Sequence, residues 1–107
     1  MQLWEIFVPT EKRIKKGKNP YFSLKHHRVF DRYVQDLCGG LSILPKSKGK
    51  WVSPDKEVFH EENIGVLIAC SEEQIEKIAE FTLKHYDQLA VFYYLVSSDV
   101  RIKYKGA

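Results

Sequence analysis

The 107-residue chain predicts an α+β domain with the element order β-α-β-β-α-β. Short runs of aromatic and β-branched residues alternate with two stretches of helical periodicity, and each of these is long enough to cross between strands. Only a turn separates the second and third strands, which excludes an all-parallel sheet. The composition, 44% hydrophobic and 29% charged, excludes disordered and fibrous classes. Residues 1–107 are therefore expected to form a single domain.

The first half of the chain predicts a strand, a basic loop and a helix. Leu3–Val8 is an aromatic and β-branched run, and Pro9 ends it. After the loop, Ser23 is placed to cap a helix with its side-chain oxygen. The buried stripe of this helix recurs at helical spacing and consists of Phe30, Tyr33, Val34, Leu37 and Cys38. Gly39 is expected to end the helix, since glycine adopts the left-handed conformation without a Cβ penalty.

The middle of the chain predicts a hairpin. The second strand is expected at Leu41–Leu44 and again at Trp51–Val52, after a lysine-rich interruption. Ser53–Lys56 has the proline of a β-turn at its second position. The third strand is expected over Val58–Ala69.

The last third predicts a second helix and a fourth strand. Ser71 and Gln74 have the spacing of a capping box. The strand is expected over Ala90–Val96, and the alternation in Val100–Tyr104 predicts a short fifth strand. Because right-handed crossovers place both helices on the same side, the predicted fold is ferredoxin-like: a four-stranded antiparallel sheet with two helices on one face.

The strands are apolar on both faces, although two helices can cover only one. An exposed apolar face of that size is unusual for a monomer. A second copy packed sheet to sheet would cover it, which predicts a homodimer. A ligand, a partner protein or the C-terminal segment folding back are the alternatives. The residues assigned to the dimer face are Val66, Phe92, Tyr93 and Tyr94.

Few residues have the spacing of a catalytic site. His60 and Glu61 are each a candidate proton acceptor, although charged residues are also common at strand ends, and on a strand the two side chains are expected on opposite faces. His26 and His27 are consecutive on a helix, so they cannot chelate together, and they are interpreted as surface or interface residues. Two cysteines cannot form a disulfide framework or a four-cysteine metal site. No metal and no cofactor are expected.

Four short motifs carry a resemblance to a known family: Gly40-Leu41-Ser42, Gly49-Lys50-Trp51, Val58-Phe59-His60-Glu61 and Gln88-Leu89-Ala90-Val91. Over residues 29–103 the chain resembles a family of small bacterial proteins, many of them predicted lipoproteins, with the pattern Gly-Leu-Thr, Gly-x-Trp, Val-x-x-Glu and Gln-x-Ser-Val. The resemblance implies the ferredoxin-like fold and no assigned activity.

The same motifs indicate one candidate ligand pocket. Gly49 and Trp51 are expected to form a bulge in the second strand, with Glu61 across the hairpin as acceptor for the indole N–H. Gln88 is expected to join them. A structural clasp around the hairpin is the alternative interpretation of Trp51, Glu61 and Gln88.

Positive charge is concentrated in the first half of the chain. Residues 1–50 carry eleven Lys and Arg against four Asp and Glu, whereas residues 51–107 carry six against ten. Such a cluster attracts phosphate groups, although the glycine and proline within it also fit a solvated loop. The residues that would bind nucleic acid are Lys12, Arg13, Lys15, Lys16, Lys18, Lys25 and Arg28.

Three functions follow from these patterns. The preferred one is a small homo-oligomer, paired through its sheet, with a ligand-binding or regulatory role. The alternatives are a dimeric α+β barrel enzyme acting on a small molecule, and a nucleic-acid binder. No apolar run is long enough for a membrane span and Met1–Glu5 lack the layout of a signal peptide, so no membrane association and a cytoplasmic location are expected.

Overall fold

The computed structural model describes residues 1–12 and 20–106. The elements are β1 (Gln2–Pro9), α1 (Leu24–Cys38), β2 (Ser42–Val52), β3 (Val58–Cys70), α2 (Glu72–His85) and β4 (Tyr93–Ser97). The four strands form one antiparallel sheet in the order β2-β3-β1-β4. This arrangement confirms the predicted ferredoxin-like α+β fold. No helix in the described parts of the chain is long and apolar enough to cross a membrane.

Both helices begin and end where local chemistry places their termini. The Ser23 side chain accepts from the backbone N–H of His26, and Gly39 ends α1 with a φ of 91°. At the start of α2, Ser71 and Gln74 form the predicted capping box in both directions. The side chains satisfy N–H groups that have no partner within the helix.

Three strand predictions are corrected by the structure. β2 is continuous, because the lysine-rich segment pairs with β3 throughout, and its register shifts between Ile43 and Lys46 rather than at Gly49. β4 begins at Tyr93, three residues later than predicted, and directly before it the Phe92 carbonyl accepts from the Phe7 backbone N–H. Val100–Tyr104, within the described range, forms no strand.

The core lies between one face of the sheet and the two helices. Ile6 and Ile68 from the sheet pack with Val34 of α1 and Ile78 of α2, and all four are almost completely buried. The helices also contact each other through the stacked rings of Tyr33 and Phe81, whose centroids are 4.1 Å apart. Both cysteines are free, and burial raises the pKa of Cys70 to about 12.

None of the helices in residues 1–12 and 20–106 covers the opposite sheet face, and we call it the open face. Its centre is Glu5, which is only 9% exposed and accepts a hydrogen bond from the Tyr94 hydroxyl. This bond to a carboxylate raises the pKa of Tyr94, since a phenolate there would face a negative charge. Around them, the rings of Phe7, Phe92 and Tyr94 lie with centroids 5.6–6.4 Å apart.

The predicted dimer face is therefore corrected in two of its four residues. Val66 and Tyr93 are both paired with Ile6, the buried centre of the helix-covered face. Val66 is 3% exposed, and the Tyr93 hydroxyl donates to Glu76 of α2. Side chains alternate along a strand, so only Phe92 and Tyr94 belong to the open face.

Gly65 makes the room that the Glu5 carboxylate occupies. A Cβ atom at Gly65 would lie 2.3 Å from Oε2 of Glu5. We expect Gly65→Ala to lower the free energy of unfolding by about 1–3 kcal/mol, the usual cost of overpacking, as measured by urea denaturation. Gly40→Ala is the matched control, because no atom lies within 4 Å of that Cβ position.

A double-mutant cycle tests the cause of this effect. Glu5→Ala removes the clashing carboxylate, so the Gly65→Ala substitution should cost much less in that background. An equal loss of unfolding free energy in both backgrounds would show that the clash with Glu5 is not the reason why Gly65→Ala is destabilising.

Candidate functional site

A cavity of about 420 Å³ opens at one end of the open face. Its volume is in the range of small-molecule sites. Its lining includes three aromatic rings, one carboxylate, two amides and two lysines, from Phe7, Trp51, Phe92, Glu61, Asn63, Gln88, Lys48 and Lys50. The cavity therefore combines an apolar wall with a few convergent polar groups.

The β2–β3 hairpin supplies the carboxylate and one ring of this cavity. Trp51 Nε1 donates to Oε1 of Glu61 at 2.6 Å, and the indole stacks on Phe59 with ring centroids 4.7 Å apart. Nδ2 of Asn63 lies 3.4 Å from the other Glu61 oxygen. These contacts hold the Glu61 carboxylate in one orientation, as the predicted clasp requires.

Within the described residues no salt bridge joins Glu61 to a lysine or arginine, although Lys48 and Lys50 line the same cavity. The nearby ion pair joins Lys46 to Glu62 with an N–O distance of 3.7 Å. Glu62 also accepts from the hydroxyl of Thr10, at 3.2 Å. Because neighbouring strand residues point to opposite faces, this ion pair lies on the face of β3 opposite to Glu61.

Gln88 enters the cavity from the loop that follows α2. Its backbone N–H donates to the carbonyl of Leu83 at 2.9 Å, and its side-chain amide donates to the carbonyl of Tyr86 at 2.9 Å. The intervening Asp87 has a φ of 49°. Trp51, Glu61 and Gln88 thus line one cavity, while their role in binding a ligand stays a prediction.

His60 is placed differently from the other candidates. It is exposed and pairs with Lys50, so its side chain lies on the strand face opposite to Glu61. The opposite faces of His60 and Glu61 agree with the alternation expected along the strand, and a role of either residue as proton acceptor stays a prediction. Within the described residues, no group of three or more His, Cys, Asp or Glu side chains is placed to hold a metal ion.

The basic segment is described only in part. Lys25 and Arg28 lie on α1, where Lys25 is exposed, and Lys12 is exposed beyond β1. Arg13, Lys15, Lys16 and Lys18 lie outside the described residues. A nucleic-acid surface on this segment stays a prediction.

Two features of the site were absent from the sequence-based predictions. Phe7 lines the cavity because its side chain lies on the open face of β1. Its alternation with the core residues Ile6 and Val8 could have predicted that position from the sequence. Thr82 also reaches the cavity from α2, although its place in the buried helical stripe gave no sign of this.

The chain matches no family model and no curated protein sequence. The resemblance to the bacterial lipoprotein-rich family therefore gains support for its fold alone. Solved structures share that fold. The divalent cation tolerance protein CutA1 from Thermus thermophilus superposes with a TM-score of 0.64 at 13% identity, covering 94% of this chain and 86% of that one.

Two further structures show the range of proteins with this fold. The periplasmic divalent cation tolerance protein CutA from Archaeoglobus fulgidus has a TM-score of 0.64 and 9% identity, covering 95% of this chain and 87% of that one. A phage SAM lyase in complex with S-methyl-5'-thioadenosine has a TM-score of 0.65 and 13% identity, covering 89% and 79%. At these identities the likeness concerns the fold.

We expect the Trp51–Glu61 bond to be detectable at the indole N–H. In Glu61→Ala the Trp51 Nε1 proton loses its acceptor, so its NMR signal should move upfield and exchange faster with solvent. Glu61→Gln retains an acceptor oxygen and should preserve the protection.

Glu62→Ala is the control, since Glu62 bonds Thr10 and Lys46 on the other strand face. An indole signal that is the same in wild type and Glu61→Ala would contradict the bond.

Proposed function

We propose that this protein is a self-associating ligand-binding protein whose cavity takes a small organic molecule with a planar ring and a positive charge. The observation that carries this proposal is the Glu61 carboxylate, which is held in place by Trp51 within an aromatic cavity. Aromatic faces and a carboxylate both attract a cation. The rings also stack on a planar group.

An adenosyl sulfonium is one ligand class with this chemistry. Its base would stack on Trp51 or Phe92, its ribose hydroxyls would bond Asn63 or Gln88, and its sulfonium would face Glu61. The phage SAM lyase, whose structure contains S-methyl-5'-thioadenosine, shares this fold and supports the choice of probes. The likeness to it does not extend to an activity.

A charged and an uncharged probe separate the electrostatic contribution of Glu61 from the contribution of ring stacking. We expect S-adenosylmethionine to bind more tightly than neutral S-methyl-5'-thioadenosine in isothermal titration calorimetry. Glu61→Gln should weaken the first by about tenfold, which is about 1.4 kcal/mol, and affect the second much less. Trp51→Leu should weaken both.

Glu73→Gln, an exposed residue of α2 outside the cavity, is the matched control. If neither nucleoside binds, the proposed ligand class is wrong. Binding of a divalent cation, tested with Mg²⁺, Mn²⁺ and Zn²⁺ in turn, in place of the nucleosides would favour the divalent cation tolerance that the CutA names describe.

Self-association through the open face is supported by its exposed aromatic residues. Phe92 is 66% exposed and Tyr94 is 41% exposed, and Phe92 belongs to both the open face and the cavity wall. A second copy is the proposed occupant, because the chain leaves this face of its own sheet without a helix. Stacking two such faces would bury the aromatic cluster at a distance of about 10 Å between sheets.

We expect wild-type protein to sediment as an oligomer and Phe92→Glu to shift it toward monomer. A charge in an apolar contact is unfavourable unless it finds a partner. The control is Tyr104→Glu, which places the same charge at an aromatic residue that is 80% exposed and outside the sheet. A monomeric wild type, or an equal effect of both substitutions, would contradict the proposal.

A further inference from the structure

Two histidines join the start of α1 to the end of α2. The rings of His26 and His85 are stacked, with centroids 3.7 Å apart and planes 8° from parallel. Nε2 of each ring lies 2.6–2.7 Å from the backbone carbonyl of the other residue. A carbonyl only accepts, so both Nε2 atoms carry hydrogen, and any further proton must bind at Nδ1.

A third histidine contacts a buried phenol beside this pair. Tyr86 is fully buried, and its hydroxyl lies 2.8 Å from Nδ1 of His27. Burial raises the pKa of Tyr86, so it stays a phenol and donates to a neutral His27. A proton on Nδ1 of His27 would remove this acceptor and leave a buried hydroxyl hydrogen without a partner.

The charged groups around His27 favour its neutral form on balance. Burial lowers its pKa first, and the neighbouring His26 and His85 lower it further. Asp31, the carboxylate that faces it from α1, opposes them and raises it. The lowered pKa of His27 means that its contact with Tyr86 stabilises the fold fully above about pH 6.5 and loses that contribution as the pH falls below this value.

The same helix end positions a wall of the cavity. The Tyr86 carbonyl accepts the side-chain amide of Gln88, whose backbone N–H is bonded to Leu83. Gln88 therefore takes its place in the cavity from the last turn of α2. The histidine pair holds this turn against α1.

We propose that protonation of the cluster formed by His26, His27 and His85 loosens the end of α2, displaces Gln88 and weakens ligand binding in the cavity. Two stacked imidazolium rings repel each other, and a protonated His27 leaves Tyr86 unpaired. The ligand part of this inference rests on the proposed function. The displacement of Gln88 does not, because it occurs in the ligand-free protein.

The ligand-free test follows the Gln88 side-chain amide by NMR from pH 8 to pH 5. We expect its signals to shift with the protonation of the cluster. His27→Gln keeps an acceptor for Tyr86 and does not titrate, and His85→Phe keeps the stack without a second charge. The shift should shrink in each variant and vanish in a combined variant that carries both substitutions together with His26→Phe, because no titratable ring of the cluster then remains.

His60→Gln removes the one remaining histidine, which is exposed on β3. The pH-dependent shift of the Gln88 amide signals should persist in this variant. Loss of the titration in His60→Gln, or Gln88 signals that do not move in wild type, would overturn the inference.

The ligand test uses S-methyl-5'-thioadenosine, which has no group that titrates in this range. Its affinity should fall about fivefold between pH 7.5 and pH 5.5, at the low end of coupling between sites, and the fall should vanish in the combined variant. If the affinity is unchanged by pH while the wild-type Gln88 amide signals shift with pH, the coupling between the histidine cluster and ligand binding would be overturned. Absence of binding at every pH would instead contradict the proposed function, while the Gln88 titration would still decide the helix-end movement.

Discussion

The two helices cover one face of the sheet, and the rest of the molecule depends on how the other face is used. A half-covered antiparallel sheet normally carries polar side chains on its free side. Here that side carries Phe7, Phe92 and Tyr94 around the buried carboxylate of Glu5. A carboxylate in such a place needs donors, and Tyr94 supplies one. The open face is thus aromatic around one central polar group. This arrangement favours specific association with a partner surface over non-specific aggregation.

The cavity at the end of the sheet likewise contains a carboxylate that is hydrogen-bonded by an aromatic side chain. Glu61 is held by an indole N–H, and aromatic rings line the cavity into which its carboxylate projects. Proteins that share this fold are described by chemistries as different as divalent cation tolerance and SAM cleavage. The backbone arrangement therefore does not decide the ligand, and the proposal of a cationic organic molecule rests on the side chains of this chain alone.

Local signals were sufficient for most of the fold. Ser23, Gly39 and the Ser71 capping box act within a few residues of their own positions, so their effects are readable in the sequence. The hairpin partners Trp51 and Glu61 were also predictable, because a turn fixes their separation. The sequence could not show that the lysine-rich stretch of β2 is a strand, since its pairing with β3 overrides a weak intrinsic preference.

The histidine cluster shows the opposite case. His26 and His85 are 59 residues apart in the chain, and only the packing of α1 on α2 brings their rings together. Their positions near helix ends gave no sign of a reciprocal contact. The predicted dimer face likewise combined Tyr93 and Tyr94, which lie on opposite faces of β4. Both faces of this strand are hydrophobic, so the sequence does not indicate which face packs against the helices.

The register shift between Ile43 and Lys46 has a consequence for the start of β2. Before it, Ile43 is opposite Val66, and after it Lys46 is opposite Ile64, so β2 contains one residue more than its partner strand. The turn fixes the pairing of Trp51 with Phe59, so Trp51 and Glu61 share a face of the hairpin whatever happens at the shift. The extra residue instead lets Ser42 and Ile43 keep the faces of their partners Leu67 and Val66 although they are out of step with the alternation from Lys46 onward. A single-residue indel at Leu44 or Pro45 would exchange the faces of Ser42 and Ile43, so the spacing of this short stretch matters more than the identity of its residues.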